Sequence, residues 1–369
     1  VKFSINHLFA ISCFMLAGMI PHQLRAEDGL SDRAPFPAES SAISRIAFGS
    51  CADETRPQPF WNSIAAQNPD LFLFTGDNVY ADQYKGEWIR EPALEPISYA
   101  YALLGAIPEF KDFRRSVPII AGWDDHDYGL NDAGAEFPLK EGSKNIMLDF
   151  FGVPKDAPVR QRDGLYHARI MGPVGQRVQI IFLDTRWFRS DLRPTDERGA
   201  VGKERYLPDP DPAKTMLGEA QWTWLEQQLQ KPADLRILVS SIQVLADGHG
   251  WEGWHSLPLE RQRLYDLIND SGVSSLLILS GDRHVGGLYR RDDIAAFPLY
   301  EITSSSLNLS FAKGPVTETG PHQMGQLYGP ENFGMIEVDW DRRILSFDLR
   351  DMAGDPVRGM TIALDDLAP

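Results

Sequence analysis

Short apolar runs alternate with segments of helical spacing through most of the chain. Ile46-Ala47-Phe48 ends at Gly49-Ser50-Cys51, and Leu71-Phe72-Leu73-Phe74 ends at Thr75-Gly76-Asp77. A run at 117–121 ends at Gly122-Trp123-Asp124-Asp125-His126-Asp127, and one at 178–183 ends at Asp184-Thr185-Arg186. Two more, at 235–239 and 276–279, end at Ser240-Ser241-Ile242-Gln243 and Ser280-Gly281-Asp282-Arg283-His284. Short continuous apolar runs bounded by turn signals read as buried strands. Residues 60–67, 99–113, 219–229 and 260–268 have the spacing of helices. Ala220, Trp224 and Leu225 share one side of the third, and Ser256, just ahead of Pro258, is placed to cap the fourth. Residues 299–303, 335–338 and 345–349 read as later strands, the last two joined by a turn at Trp340-Asp341-Arg342-Arg343. They suggest a second sheet edge closing the same domain.

This alternation predicts an α/β layered fold. In open α/β sheets, sites assemble beyond the carboxyl ends of the strands. Each polar strand end reads by itself as an ordinary turn or cap. Taken together, ends that carry Cys, Asp, His, Arg and Gln point to one site. Residues 186–217 and 308–332 are rich in Gly, Pro and charge and are expected as surface loops beside a substrate mouth.

Composition narrows the class. A length of 369 residues fits one or two domains. Apolar residues at 43% and charged residues at 24% are ordinary globular usage, against disorder, collagen or coiled coil. A net charge of −16 disfavours a duplex nucleic-acid partner, which calls for a basic surface.

The start reads differently from the rest. Lys2 precedes an apolar run at 8–20, and Leu24-Arg25-Ala26 stands before Glu27. That is the pattern of a secretory signal peptide, residues 1–26, cleaved after Ala26. The run is too short to cross ~30 Å of hydrocarbon, so no transmembrane anchor is expected. Ala10-Ile11-Ser12 is a poor lipidation context for Cys13, and no twin-arginine pair occurs. A periplasmic or secreted protein is expected, with 27–44 as a linker and 45–369 as a single domain. Cleavage would leave Cys51 as the sole cysteine. In an oxidising compartment such a thiol is buried and inert, paired to another chain, or bound to a metal.

The strand ends carry the chemistry. Asp77 is a hard oxygen donor, and the phenolate of Tyr80 favours a highly charged ion such as ferric iron. Taken alone, such a strand-Gly-Asp block is more often a plain structural turn. Asp124, Asp125 and Asp127 crowd His126, and such carboxylates repel unless a cation or proton offsets them. A solvated acidic turn is the alternative, but the apolar strand before it and the flanking Trp123 and Tyr128 favour a metal or catalytic role. Asp282 and His284 alternate, so both can face one ion with Arg283 pointing away, or the block is a turn.

These blocks resemble the alkaline phosphatase D type of binuclear metallophosphatase. The matching blocks are Gly49-Ser50-Cys51, Gly76-Asp77-Asn78-Val79-Tyr80, Trp123-Asp124-Asp125-His126-Asp127, Leu183-Asp184-Thr185-Arg186, Gly218 with Gln221 and Trp224-Leu225, and Gly281-Asp282-Arg283-His284. They stand in the family's order and span most of 46–290. The resemblance implies a metallophosphatase-like four-layer sandwich, two packed mixed β-sheets flanked by helices. It implies Fe3+ held by Cys51, Tyr80, Asp77 and the Asp282/His284 block, with Ca2+ alongside at oxygen donors including Asp77 and Asp125. Gln243 stands where another ligand of the second metal would fall. His126 follows as the acid for the leaving oxygen and Arg186 as a phosphate clamp. Many members carry a separate β-domain ahead of the catalytic one, and the stretch between Ala26 and Cys51 is too short to hold it.

The implied activity is hydrolysis of a phosphate monoester or diester, phospholipid head groups included. Two close cations would hold the phosphoryl group and lower the pKa of a bound water, which attacks phosphorus in line. Two other classes compete. A thiol hydrolase built on Cys51 would need no metal and would ignore chelators. A calcium-stabilised binding protein would bind the ion without turnover. The chain has no Gly-x-Ser-x-Gly elbow for a serine hydrolase.

Overall fold

The computed structural model describes residues 32–312, 314 and 316–368. The expected signal peptide, with Cys13, lies outside the described residues. Residues 32–44 form no helix or strand. Ala34 nevertheless donates its backbone N–H to the Arg114 carbonyl at 2.7 Å, and Asp32 pairs with Arg114 and Arg115.

The chain runs β1 (Arg45–Gly49), α1 (Phe60–Ala66), β2 (Leu71–Phe74), then a small hairpin of β3 (Gln83–Tyr84) and β4 (Glu87–Trp88). Helices α2 (Glu95–Ala106) and α3 (Pro108–Ser116) precede β5 (Ile119–Ala121), α4 (Asp125–Tyr128) and α5 (Lys140–Phe150). Then come β6 (His167–Met171), β7 (Val178–Phe182), α6 (Gly218–Leu229), β8 (Leu235–Val239), α7 (Pro258–Asp270) and β9 (Leu276–Ser280). The last strands are β10 (Gly286–Arg291), β11 (Leu299–Ser304), β12 (Phe333–Asp339), β13 (Ile344–Arg350) and β14 (Pro356–Ala363).

Two six-stranded mixed sheets result, in the orders β14-β13-β12-β1-β2-β5 and β10-β11-β9-β8-β7-β6. β1, β2 and β5 are parallel in the first sheet, and β7, β8, β9 and β11 in the second, with antiparallel strands outside them. β2, β7, β8 and β9 are buried at every position, as parallel strands covered on both faces must be. Side chains alternate across a strand, and that alternation sorts the core. Ile46, Phe48, Leu71 and Leu73 pack with the second sheet, whereas Ala47, Phe72 and Phe74 pack against Trp61, Leu104, Phe110 and Phe113 of α1–α3. Trp222, Leu225 and Leu229 of α6 and Leu264 and Ile268 of α7 join the second sheet's cluster. The architecture is therefore helices, sheet, sheet, helices.

Three local expectations are corrected. The helix expected over 99–113 is two helices, because Pro108 lacks the N–H that would continue the first, and Ile107 before it is extended (φ −63°, ψ 122°). Ser256 does not cap α7: Leu257 holds that position without a side-chain bond, and Pro258 opens the helix with its preset φ. The three late strands do not form one edge, since β11 belongs to the second sheet while β12 and β13 extend the first. Among the described residues no helix is long and apolar enough to cross a membrane.

Candidate metal centre

The carboxyl ends of the two sheets meet. Ser241, after β8, donates its hydroxyl to Asp124 Oδ1 after β5 at 2.6 Å, and its Oγ lies 2.6 Å from Thr185 Oγ1 after β7. Gly76 permits this approach. Its φ is +130°, and a Cβ there would stand 2.8 Å from Asp124 Cβ.

Four side chains at these ends sit on left-handed backbone: Cys51 (φ 61°), Asp77 (46°), Asp282 (69°) and His284 (53°). Such conformations are uncommon away from glycine, cost about 1–3 kcal/mol each, and gather at functional sites. Here they turn the side chains toward one another. Cys51, Asp77 and His284 offer ligand atoms all within 4.8 Å of one another. Cys51 Sγ lies 3.3 Å from Asp77 Oδ2, and Tyr80 Oη 3.4 Å from His284 Nε2. His284 donates from Nδ1 to the Leu309 carbonyl at 2.6 Å, which leaves Nε2 for the cluster. Burial holds His284 down at about 4, so the ring is neutral.

Asp77 also belongs to two neighbouring groups of the same tightness, one with Asp125 and His126, the other with Asp124, Asp125 and Asp282. Burial pushes the Asp77 carboxyl well up, and Asp125, Asp124 and Asp127 add to this against His126. Burial likewise raises Asp282, with Asp124, Asp125 and Glu252 adding. The Cys51 thiol and Tyr80 phenol are raised by burial and by Asp77. Asp77 Oδ1 and Asp124 Oδ2 are buried without a hydrogen-bond partner. Crowded carboxylates with unpartnered oxygens are what cations relieve. A thiol, phenol and imidazole on one side of Asp77 suit a soft or highly charged ion, and the carboxylates of Asp124, Asp125 and Asp282 on the other suit a hard one.

His126 Nδ1 is 2.6 Å from Asp82 Oδ1. Burial pulls the imidazole down, but Asp125, Asp82 and Asp77 outweigh it and hold it well above its ordinary value. Asp125 is pushed up by burial and pulled further down by His126 and Arg186, so it ends below the usual carboxylate range. Asp127 is structural: it accepts backbone N–H bonds from Asn78, Val79 and Asp124 and the Tyr101 hydroxyl.

Two expected site residues face elsewhere. Arg186, expected as a phosphate clamp, is fully buried, with Nε donating to Asp124 Oδ1 at 2.6 Å and Nη1 to Glu252 Oε2 at 2.8 Å. Two carboxylates already occupy its fork, so it braces Asp124 and has no free face for a ligand. Gln243, expected as a metal ligand, donates to Tyr289 Oη and Thr303 Oγ1 and accepts from Arg283 at 2.9 Å, with His249 Nε2 at 3.1 Å. Both ends of its amide are engaged, which removes it from the donor set. Arg283 lines the cleft, where its guanidinium donates to the Gln243 amide oxygen at 2.9 Å and to Glu318 at 2.8 Å.

Sequence reading did not single out Asp82, Asp132, Glu252 or Glu54. Asp125, Asp132 and Glu252 form a further group of close ligand atoms. Glu54 accepts the Tyr80 backbone N–H at 2.8 Å and is pushed up to about 7, chiefly by burial. A carboxylate two residues beyond Tyr80 was the available signal for Asp82. Glu252 lies in a loop remote in sequence from its partners and carries none.

The cluster floors a cleft of about 1190 Å3 whose lining includes Tyr80, Asp125, His126, Asp282 and His284. Arg56, Arg90, Arg198, Arg205 and Arg283 also line it. Both long loops contribute, through Pro194 and Tyr206 and through Leu309 and Phe311.

Residues 46–333 match the model of a family described as PhoD-like phosphatase. Alkaline phosphatase D of Bacillus subtilis (strain 168) is 22% identical over a match covering 69% of this chain and 48% of that protein. The chain thus spans about half the length of that curated relative. A solved structure of PhoD superposes with a TM-score of 0.68 at 17% identity, covering 89% of this chain and 70% of that one. That likeness bears on the fold alone.

Proposed function

The chain belongs to the PhoD-like phosphatase family, and on that premise we propose that it is a metal-dependent phosphoric-ester hydrolase working in the cleft above Asp77. The observation that carries this reading is the meeting of Cys51, Asp77 and His284 beside Asp125 and His126 under a wall of arginines. Cys51, Tyr80, Asp77 and His284 would hold one ion, with Fe3+ as our assignment. Asp77, Asp124, Asp125 and Asp282 would hold Ca2+ beside it. When bound, the cations polarise the phosphoryl group and acidify water.

The chain's own groups supply the rest. His126, with Nδ1 held by Asp82, would give a proton from Nε2 to the departing ester oxygen. Asp82 fixes the ring through Nδ1. The arginine wall offsets charge on the phosphoryl oxygens and draws an anionic ester past an acidic surface. Arg186 acts indirectly, by keeping Asp124 ionised and in place.

The pattern of residues 1–26 supports a signal peptide and a periplasmic or secreted protein, and 45–369 is assigned as one catalytic domain. The test is hydrolysis of a phosphate monoester and a diester by the purified protein. Turnover of either must disappear on chelation and return with metal. Chelator-resistant turnover blocked by a thiol reagent would favour the thiol hydrolase instead.

A further inference from the structure

Among the described residues eight large hydrophobic side chains are exposed, and three of them line this one cleft: Trp88 (59% exposed), Phe311 (77%) and Trp251 (36%). Exposed aromatic rings gathered at one mouth mark a binding surface rather than chance. Trp88, at the end of β4, has its ring centroid 6.0 Å from that of His126. Phe311 stacks on His284 at 4.1 Å with 22° between the planes. Tyr80 lies between the two histidines, 4.2 Å from His126 and 6.2 Å from His284. The rings therefore form a row that starts in solvent, crosses the candidate metal centre and ends in solvent.

The surroundings decide what such rings hold. An acyl chain calls for a continuous apolar channel. This lining has apolar side chains, Ile89, Leu130, Val285, Leu309 and Val316, but five arginines stand among them, and Arg90 and Arg198 form no ion pair or hydrogen bond among the described residues. Isolated aromatic faces beside cations suit a flat, polar heterocycle joined to an anion.

We propose that Trp88, beside His126, forms a stacking subsite for a planar ring on the alcohol side of the ester, so that nucleoside phosphates are the preferred substrates. This rests on the phosphatase reading above and adds the substrate class to it. The test compares kcat/KM for a nucleoside 5′-monophosphate and for glycerol 3-phosphate, which release similar primary alkoxides and differ in the base. The metal-replete protein should prefer the nucleotide by about tenfold or more, the scale of one base stacked on an aromatic side chain. Trp88→Ala should cut that preference by roughly tenfold, Trp88→Phe should keep most of it, and Phe311→Ala, across the centre on His284, should leave it in place. Equal turnover of the two esters, or a Trp88→Ala variant that slows both alike, overturns the subsite and leaves the phosphatase reading standing. Preference for a short-chain phosphatidyl diester over both assigns the rings to an apolar chain and also overturns it. Failure to hydrolyse any of them ends the phosphatase reading and this proposal together.

Discussion

Asp82 Oδ1 lies 2.6 Å from His126 Nδ1, close enough to fix both the orientation and the tautomer of the ring. If His126 is the proton donor, Asp82 is its positioning residue. Asp82→Asn should lower kcat by roughly tenfold or more, with little change in KM and none in metal content. His126→Ala should cost more, about 100-fold in kcat, while metals stay bound. Loss of metal from His126→Ala with the fold intact would give the histidine a ligand's role instead.

Asp77 stands in three groups of close ligand atoms and bears the repulsion of Asp124, Asp125 and Asp127. Its effect on stability should therefore change sign with metal. In the chelated protein, Asp77→Asn should raise Tm by about 2 °C or more, because the amide escapes the cost of burying this carboxyl among other carboxylates, whether it is borne as charge or as proton uptake. Metal should raise the wild-type Tm and leave the variant's unchanged. Thermal scans with and without chelator check both; a chelated variant less stable than chelated wild type would mean the carboxylates do not repel.

Tyr80 Oη lies 3.4 Å from His284 Nε2, within the sulfur-bearing group. If iron sits there, its phenolate should give the protein a violet or brown charge-transfer band. Tyr80→Phe should remove that band. A band that persists in the variant would take Tyr80 out of the ligand set.

Much of this was legible along the chain, for physical reasons. β1, β2, β7, β8 and β9 are buried apolar runs, and β5 a half-buried one, whose ends must be turns, so polar donors there stand out. The edge strands were not legible. β14 carries Pro356 and Gly359 and is half exposed, and β6 is largely half-buried, so neither shows a clean apolar pattern. The pairing that immobilises Arg186 also escaped notice, since Glu252 lies 66 residues away and no local signal links them. The bonds that engage Gln243 have the same cause: three of its four partners, Tyr289, Thr303 and Arg283, lie 40 or more residues away. Gln221, noted only as part of a matching block, proves structural, exchanging bonds with the Asp184 backbone N–H and carbonyl at 2.8 Å each.

His255 is buried outside the metal centre, and both of its ring nitrogens lack a side-chain hydrogen-bond partner. Burial and the Arg261 charge lower it to about 4. Its folded pKa thus lies below its unfolded one. Between about pH 6.5 and 4 the unfolded chain takes up a proton that the folded chain refuses, so stability falls as pH falls through that window. By pH 5 this amounts to about 2 kcal/mol for one such group. His255→Phe should lose less stability than wild type between pH 7 and pH 5 in denaturant titrations. An equal loss would remove His255 as a cause.

The most direct measurement is elemental analysis of the purified protein beside Asp77→Ala and His284→Ala, with circular dichroism to establish that each is folded. The wild type should retain metal near stoichiometry, and each variant should lose it. Folded variants that keep the full complement would contradict the claim that these strand ends enclose a metal.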